Sequence, residues 1–334
     1  MSRVSRMISI VAAAAAVTGP STAAAQRRGG GRARSFLSSQ KDGALRSDST
    51  AVPEVASIVN GTSTGGPRKY MVGLTVEGSR FPTNCGGTLI TPYVVLTAAH
   101  CMYFPQYPVW DPLDQVLVNL YNTTDQAGVV RINIQDPSEG GEDIIIHPDY
   151  YECCQNTYVN DVALMFLPIG QLADYAQIND DPKVPVVPDP LRVMGWGLTE
   201  YGGALSEVLL ETTVNYISNE ECKEAFAGTP KIITDGMMCA YKDFTDACYG
   251  DSGGPLFQVD KDGEIGDRPT QVGIVSWGIE CANPKYPGVY ARVSYYADWI
   301  KETVCSRPEY ATKELCGSSK SGKGKSTKSP SYTP

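Results

Sequence analysis

The sequence predicts an all-β protein built from many short antiparallel strands. Short apolar or alternating runs recur from Tyr70 onward (YMVGLTV, GTLITPYVVLTAA, QVLVNL, VVRINI, DIIII, VALMFL, LRVMGW, QVGIVSW, GVYARV), and clusters of Gly, Pro, Asn and Asp part them. With 33 Gly, 23 Pro and only 19% charged residues, the composition fits strands and loops rather than coiled coils. A chain of 334 residues with 42% hydrophobic residues can bury one large core or two small ones. This spacing belongs to antiparallel barrels or sandwiches. Helices are few: Tyr295–Val304 (YYADWIKETV) near the end of the domain, and a short one over Asn219–Phe226 with Ser218 as its N-cap.

The two ends read differently from the middle. Met1–Arg6 is basic, Ile8–Val17 is apolar, and Ala23-Ala24-Ala25 offers small residues for cleavage, so residues 1–25 read as a secretory signal peptide. The apolar run is too short to span a hydrocarbon core of about 30 Å. Residues 26–57 are rich in Arg, Gly and Ser without apolar periodicity, and Gly317–Pro334 is a Ser/Lys/Gly tail; both are expected to lack a packed core. The tail reads as a solvated terminus, or alternatively as a tether to a polyanionic surface. The formal net charge of −9 averages over opposites: residues 58–316 hold 16 basic and 34 acidic residues, a net −18, between basic ends. That balance excludes general nucleic-acid binding and favours encounter with cationic substrates. In a secreted chain the 10 Cys point to disulfides.

Three islands carry chemistry: Leu96-Thr97-Ala98-Ala99-His100-Cys101, Asn160-Asp161-Val162-Ala163-Leu164-Met165 and Gly250-Asp251-Ser252-Gly253-Gly254-Pro255. A serine hydroxyl is a poor nucleophile at neutral pH. It needs a base within hydrogen-bond reach, and the base needs a group that fixes its tautomer and stabilises its positive charge. With 2 His in the chain, the base is either His100 or His147. The glycines beside Ser252 permit tight turns that aim the N–H groups of Gly250 and Ser252 at a developing oxyanion.

TAAHC, DVALM and GDSGGP, in the order His, Asp, Ser, resemble the trypsin/chymotrypsin family of serine endopeptidases over about Ile58–Val304. The resemblance implies two antiparallel six-stranded β-barrels with a C-terminal helix and the site in the cleft between them. It implies His100 as general base and then acid, Asp161 as its orienting group, Ser252 as nucleophile, and Gly250 and Ser252 as the oxyanion hole. His147, in IIHPDY, is similar to a non-catalytic stretch of that family. The division that follows is signal peptide 1–25, propeptide 26–57, protease domain 58–304 and C-terminal extension 305–334. A catalytically silent relative acting as a binding or inhibitor protein is the alternative, but such relatives usually lose a triad member and this chain keeps all three.

Asp246 lies six residues before Ser252, where the family places the floor of its specificity pocket. A carboxylate there implies pairing with an Arg or Lys side chain before the scissile bond (the P1 residue), because an unpaired buried charge is costly. Ser276, Trp277, Gly278 and Gly288 are the implied walls, and Ser276–Gly278 the implied edge for a substrate strand. Ile58-Val59-Asn60-Gly61 resembles the family's mature N-terminus, whose freed ammonium pairs with the residue that is Asp251 here. Residue 57 is Ser rather than Arg or Lys, so a separate activating protease that tolerates small residues is expected.

By the same resemblance Cys85 pairs with Cys101, Cys222 with Cys239, and Cys248 with Cys281. Cys153, Cys154, Cys305 and Cys316 then remain, with three possible pairings; Cys305–Cys316 is the simplest, and a crossed pairing stays open. Asn60 and Asn122 head N-glycosylation sequons. Asn122 suits a surface loop, whereas a glycan on Asn60 would crowd Ile58. The expected partners are protein or peptide substrates with Arg or Lys at P1, acted on by a monomer that uses no metal, calcium or other cofactor. The Met102–Gln115 and Tyr150–Tyr158 loops are expected to border the cleft and narrow its selectivity.

Overall fold

The structure, a computed structural model, describes residues 58–79, 83–102, 113–134, 143–153, 157–171 and 174–317. The expectations for residues 1–57 and for the tail from 318 lie outside the described residues, as do most of Met102–Gln115 and residues 154–156 of the Tyr150–Tyr158 loop.

In chain order the strands are β1 (Thr62–Ser63), β2 (Met71–Thr75), β3 (Cys85–Thr91), β4 (Val94–Thr97), β5 (Gln115–Val118), β6 (Val130–Asn133), β7 (Ile144–Ile146), β8 (Tyr151–Cys153) and β9 (Thr157–Val159). They continue with β10 (Ala163–Phe166), β11 (Gln177–Ile178), β12 (Pro190–Gly195), β13 (Leu210–Ile217), β14 (Met237–Tyr241), β15 (Pro255–Gln258), β16 (Thr270–Trp277) and β17 (Gly288–Arg292). The helices are α1 (Asn219–Ala225), α2 (Val293–Cys305) and α3 (Lys313–Cys316).

Two β units carry the fold, as the resemblance implies, and they differ in closure. In the C-terminal unit the order β13-β12-β15-β16-β17-β14 returns on itself, because β14 pairs with β13, and the result is a closed six-stranded barrel. The N-terminal unit is a seven-stranded antiparallel sheet, β6-β5-β2-β3-β4-β10-β7, whose edge strands β6 and β7 do not pair with each other among the described residues. β8 and β9 form a separate hairpin-like pair.

Local sequence explains the strands. Along β13 buried and half-buried residues alternate strictly, the signature of a strand with one face on a core. β2, β3, β4 and β10 are buried on both faces, and β10 (ALMF) is apolar throughout, while Thr75, Thr88, Thr91 and Thr97 are buried in the other three. α1 begins with a full capping box: Ser218 accepts from the Glu221 backbone N–H, and the Glu221 carboxylate accepts from the Ser218 backbone N–H. α2 buries Val293, Tyr296, Ala297, Ile300 and Val304, one stripe at helical spacing, against the core of the N-terminal sheet. The chain then turns back. Cys305 is bonded to Cys316, and Tyr310 sets its ring edge-on to buried Phe166, 4.8 Å between centroids. The segment after residue 304 is therefore partly a packed staple rather than wholly a tail.

Candidate active site

The register of two neighbouring strands brings His100 and Asp161 together. Ala163 at the start of β10 lies opposite Thr97 at the end of β4. Three residues beyond Thr97, in the tight turn Ala99–Cys101, comes His100; two residues before Ala163 comes Asp161. The Cys85–Cys101 disulfide ties this turn to β3. Asp161 is 1% exposed. One carboxylate oxygen accepts from the His100 backbone N–H at 2.8 Å, and the other lies 2.7 Å from His100 Nδ1. A carboxylate oxygen accepts, so against an ionised Asp161 the Nδ1 of His100 is the donor of this pair. Ser276 Oγ donates to the same oxygen of Asp161 at 2.5 Å. Ser276 reaches it from the irregularity between Val275 and Trp277, where β16 slips against β17.

The Ser252 loop is built where the two β units meet. Gly86 of β3 donates its N–H to Ser252 O at 2.7 Å. Gly253 donates to Val275 O of β16, and Val275 N returns a bond to Gly254 O, each at 2.9 Å. Gly253 has φ +76°, and a Cβ there would stand 2.5 Å from Gly86 O. The loop closes onto both units only because no side chain intervenes. Gly250 has φ +100°. Among the described residues, neither the Gly250 nor the Ser252 backbone N–H donates to a backbone acceptor.

A cavity of about 230 Å³ joins these parts, with His100, Ser252 and Asp246 all on its wall. Asp246 is 6% exposed. Its Oδ2 accepts from the Ala282 N–H at 3.0 Å. Burial pushes its carboxyl up to about 7, against the downward pull of the Ala282 and Ala247 backbone N–H groups, with the neighbouring Asp251 adding to the rise. A Cβ on Gly288 would lie 2.7 Å from Asp246 Oδ1, so only glycine leaves that carboxylate accessible. Ser276, Trp277 and Gly278 line the same cavity. The Cys248–Cys281 bond spans its two sides, and Cys222–Cys239 ties α1 to the barrel strand β14.

Ile58 is fully buried and non-glycine at φ +43°. Val59 pairs with the backbone of Asp246, so the start of the described domain touches the Asp246 side of the cavity. Asp251 is also fully buried, with Oδ1 accepting from Gly197 N and Oδ2 from Cys248 N, each at 2.8 Å. Burial pushes its carboxyl up to about 6, outweighing those two donors.

The other histidine sits elsewhere. His147 packs against Tyr296 and Trp299, accepts from Asp149 N at Nδ1, and is held below its ordinary pKa by burial. Asn60 is exposed, but its Nδ2, the atom a glycan would use, donates to Phe244 O at 2.6 Å. Asn122 is half-buried, and its amide oxygen is taken by Thr124 and Asp125. Donor atoms of Cys85, His100 and Cys101 lie within 4.8 Å of one another, yet both sulfurs are in one disulfide and neither is a thiolate ligand. Tyr158 and Tyr249 also line the cavity, and residue-by-residue reading did not single them out. No motif marks them; their place depends on the β8–β9 pair and on the turn before Gly250.

A family model described as Trypsin matches residues 58–300. The chain is 33% identical over 249 residues to Trypsin eta of Drosophila melanogaster, covering 70% of this chain and 82% of that protein. It is 36% identical to Trypsin of Phaedon cochleariae, covering 65% of this chain and 78% of that one. It is 33% identical to Trypsin-1 of Astacus astacus, covering 65% and 86%. The chain belongs to the trypsin family of serine endopeptidases, hydrolases that act on proteins. Among the described residues no helix is long and apolar enough to cross a membrane.

Proposed function

We propose that this protein is secreted as a zymogen, and that its mature form, beginning at Ile58, cleaves peptide bonds after Arg or Lys. The observation that carries the reading is the grip of Asp161 on both the backbone and the ring of His100, at the wall of a cavity shared with Ser252 and buried Asp246. In this reading Ser252 Oγ attacks the carbonyl while His100 Nε2 takes its proton. Asp161 and Ser276 stabilise the imidazolium, and the N–H groups of Gly250 and Ser252 hold the oxyanion. His100 then protonates the leaving amine, and water, activated by the same His100, releases the acyl group. Asp246 binds the P1 cation, Gly278 and Gly288 leave room for its length, and Trp277 flanks it. A separate protease cutting after Ser57 frees the Ile58 ammonium to pair with Asp251.

The test is hydrolysis of an arginine ester by the chain processed to start at Ile58. Turnover is expected, together with its loss in Ser252→Ala and a much slower reaction of the matching leucine ester. No turnover by correctly processed wild type would overturn the enzyme reading in favour of a silent binding protein. Equal rates on arginine and leucine esters would remove the role assigned to Asp246.

A further inference from the structure

Asp161 holds His100 by one edge of its ring. A hydrogen bond at Nδ1 sets where that edge lies but leaves the ring able to tilt about the bond, which would swing Nε2 away from the nucleophile. One face of the ring is covered. Tyr158 lies parallel to it, with ring centroids 4.6 Å apart and planes within 12°. Tyr158 is itself held in place. It is the central residue of β9, opposite Glu152 of β8, and its neighbours Thr157 and Val159 are buried. A second ring, Tyr150, lies 6.5 Å from it, centroid to centroid.

We infer that Tyr158 is a positioning residue for the reaction, acting through His100. This rests on the reading of His100 as general base. Parallel contact resists tilt of the neutral imidazole. When His100 takes the serine proton, the electron-rich face of the phenol ring lies against a cation, an attraction absent from the neutral ground state. The benefit therefore falls on kcat. The hydroxyl is not needed for either effect; the ring face is. The β8–β9 pair, which the sequence marks as a cleft-bordering loop, thereby serves the chemistry as well as any substrate contact.

The experiment uses processed enzyme and an N-acetyl arginine ester, which has no side chain before the arginine to touch Tyr158. Tyr158→Phe is expected to keep kcat within about twofold of wild type. Tyr158→Leu, and Tyr158→Met as a bulkier control without a π face, are expected to lower kcat about three- to thirtyfold with KM little changed. Proton NMR gives an independent signature, since the chain has only 2 His. The His100 ring signal is shifted by the tyrosine ring in wild type and Tyr158→Phe and moves in Tyr158→Leu, while the His147 signal stays put and reports intact folding. Unchanged kcat on the small ester, with losses confined to longer peptides, would make Tyr158 a substrate wall only and overturn the proposal. So would an unmoved His100 signal. An inactive wild type would instead fail the enzyme reading, whatever the Tyr158 variants do.

Discussion

Gly250 holds φ +100°, and a Cβ there would come within 2.9 Å of Leu205 and 3.0 Å of the Gly197 backbone. Gly250→Ala therefore forces the turn to shift and its N–H to point elsewhere. Given the proposed role of Gly250 as an oxyanion donor, this change is expected to lower kcat about 10²- to 10³-fold, with KM changed less; steady-state kinetics on one arginine ester checks it. Asp246 gives a pH signature. Its carboxyl is pushed up to about 7 by burial, so in the empty pocket it is largely neutral below that pH. Only the carboxylate pairs with a P1 cation. The ratio of kcat/KM for an arginine ester to that for a neutral P1 ester is expected to fall as pH drops through about 7. The neutral ester cancels the limb that belongs to the catalytic base, and a ratio flat from about pH 5 to about pH 8 would refute this. The role proposed for Asp246 was legible through the family resemblance, which sets the pocket floor six residues before the serine. Tyr158 was not, because the ring it stacks on lies in a different island.

Elements differ in how far local signals define them. The Ser218 N-cap of α1 is written in adjacent residues and appears where the sequence puts it, whereas β13, despite its strict alternation, is not among the runs read from the sequence. α2 runs over Val293–Cys305, slightly longer than the apolar stripe of Tyr295–Val304 suggests. α3, four residues long, has no periodicity to reveal it; it exists because the Cys305–Cys316 bond returns the chain and Leu315 packs on the core beneath. Replacing both cysteines by Ser frees that staple. Closing a loop of this size contributes about 3 kcal/mol in chain entropy, so the denaturation midpoint should drop accordingly. Activity at low temperature should persist, since none of the cavity residues lies beyond Tyr290.

On the scale of the whole molecule, two buried carboxyls couple stability to pH. Asp246 and Asp251 are raised to about 7 and about 6 from an ordinary value of 3.8. Between about pH 4 and about pH 7 the folded chain thus binds protons that the unfolded chain has released. Their contribution is full below the ordinary value and is lost as pH rises through the raised ones. In the uncut chain, Asp251→Asn is expected to flatten the fall of the urea midpoint over that window, whatever it does to the absolute midpoint. An unchanged slope would show that Asp251 does not carry the effect. In the processed enzyme, the proposed Ile58 ammonium opposes the burial penalty, and the same slope should shrink. By itself the sequence determined the strand-rich class, the acidic middle and the three chemical islands in their order, because composition, alternation and motif chemistry are local properties. Only the tertiary structure decided that one β unit closes while the edge strands of the other do not pair among the described residues, that Gly86 of the first unit anchors Ser252 of the second, and that Tyr158 covers His100. Each of these is a contact between residues far apart in the chain, set by strand register and by the space a glycine leaves.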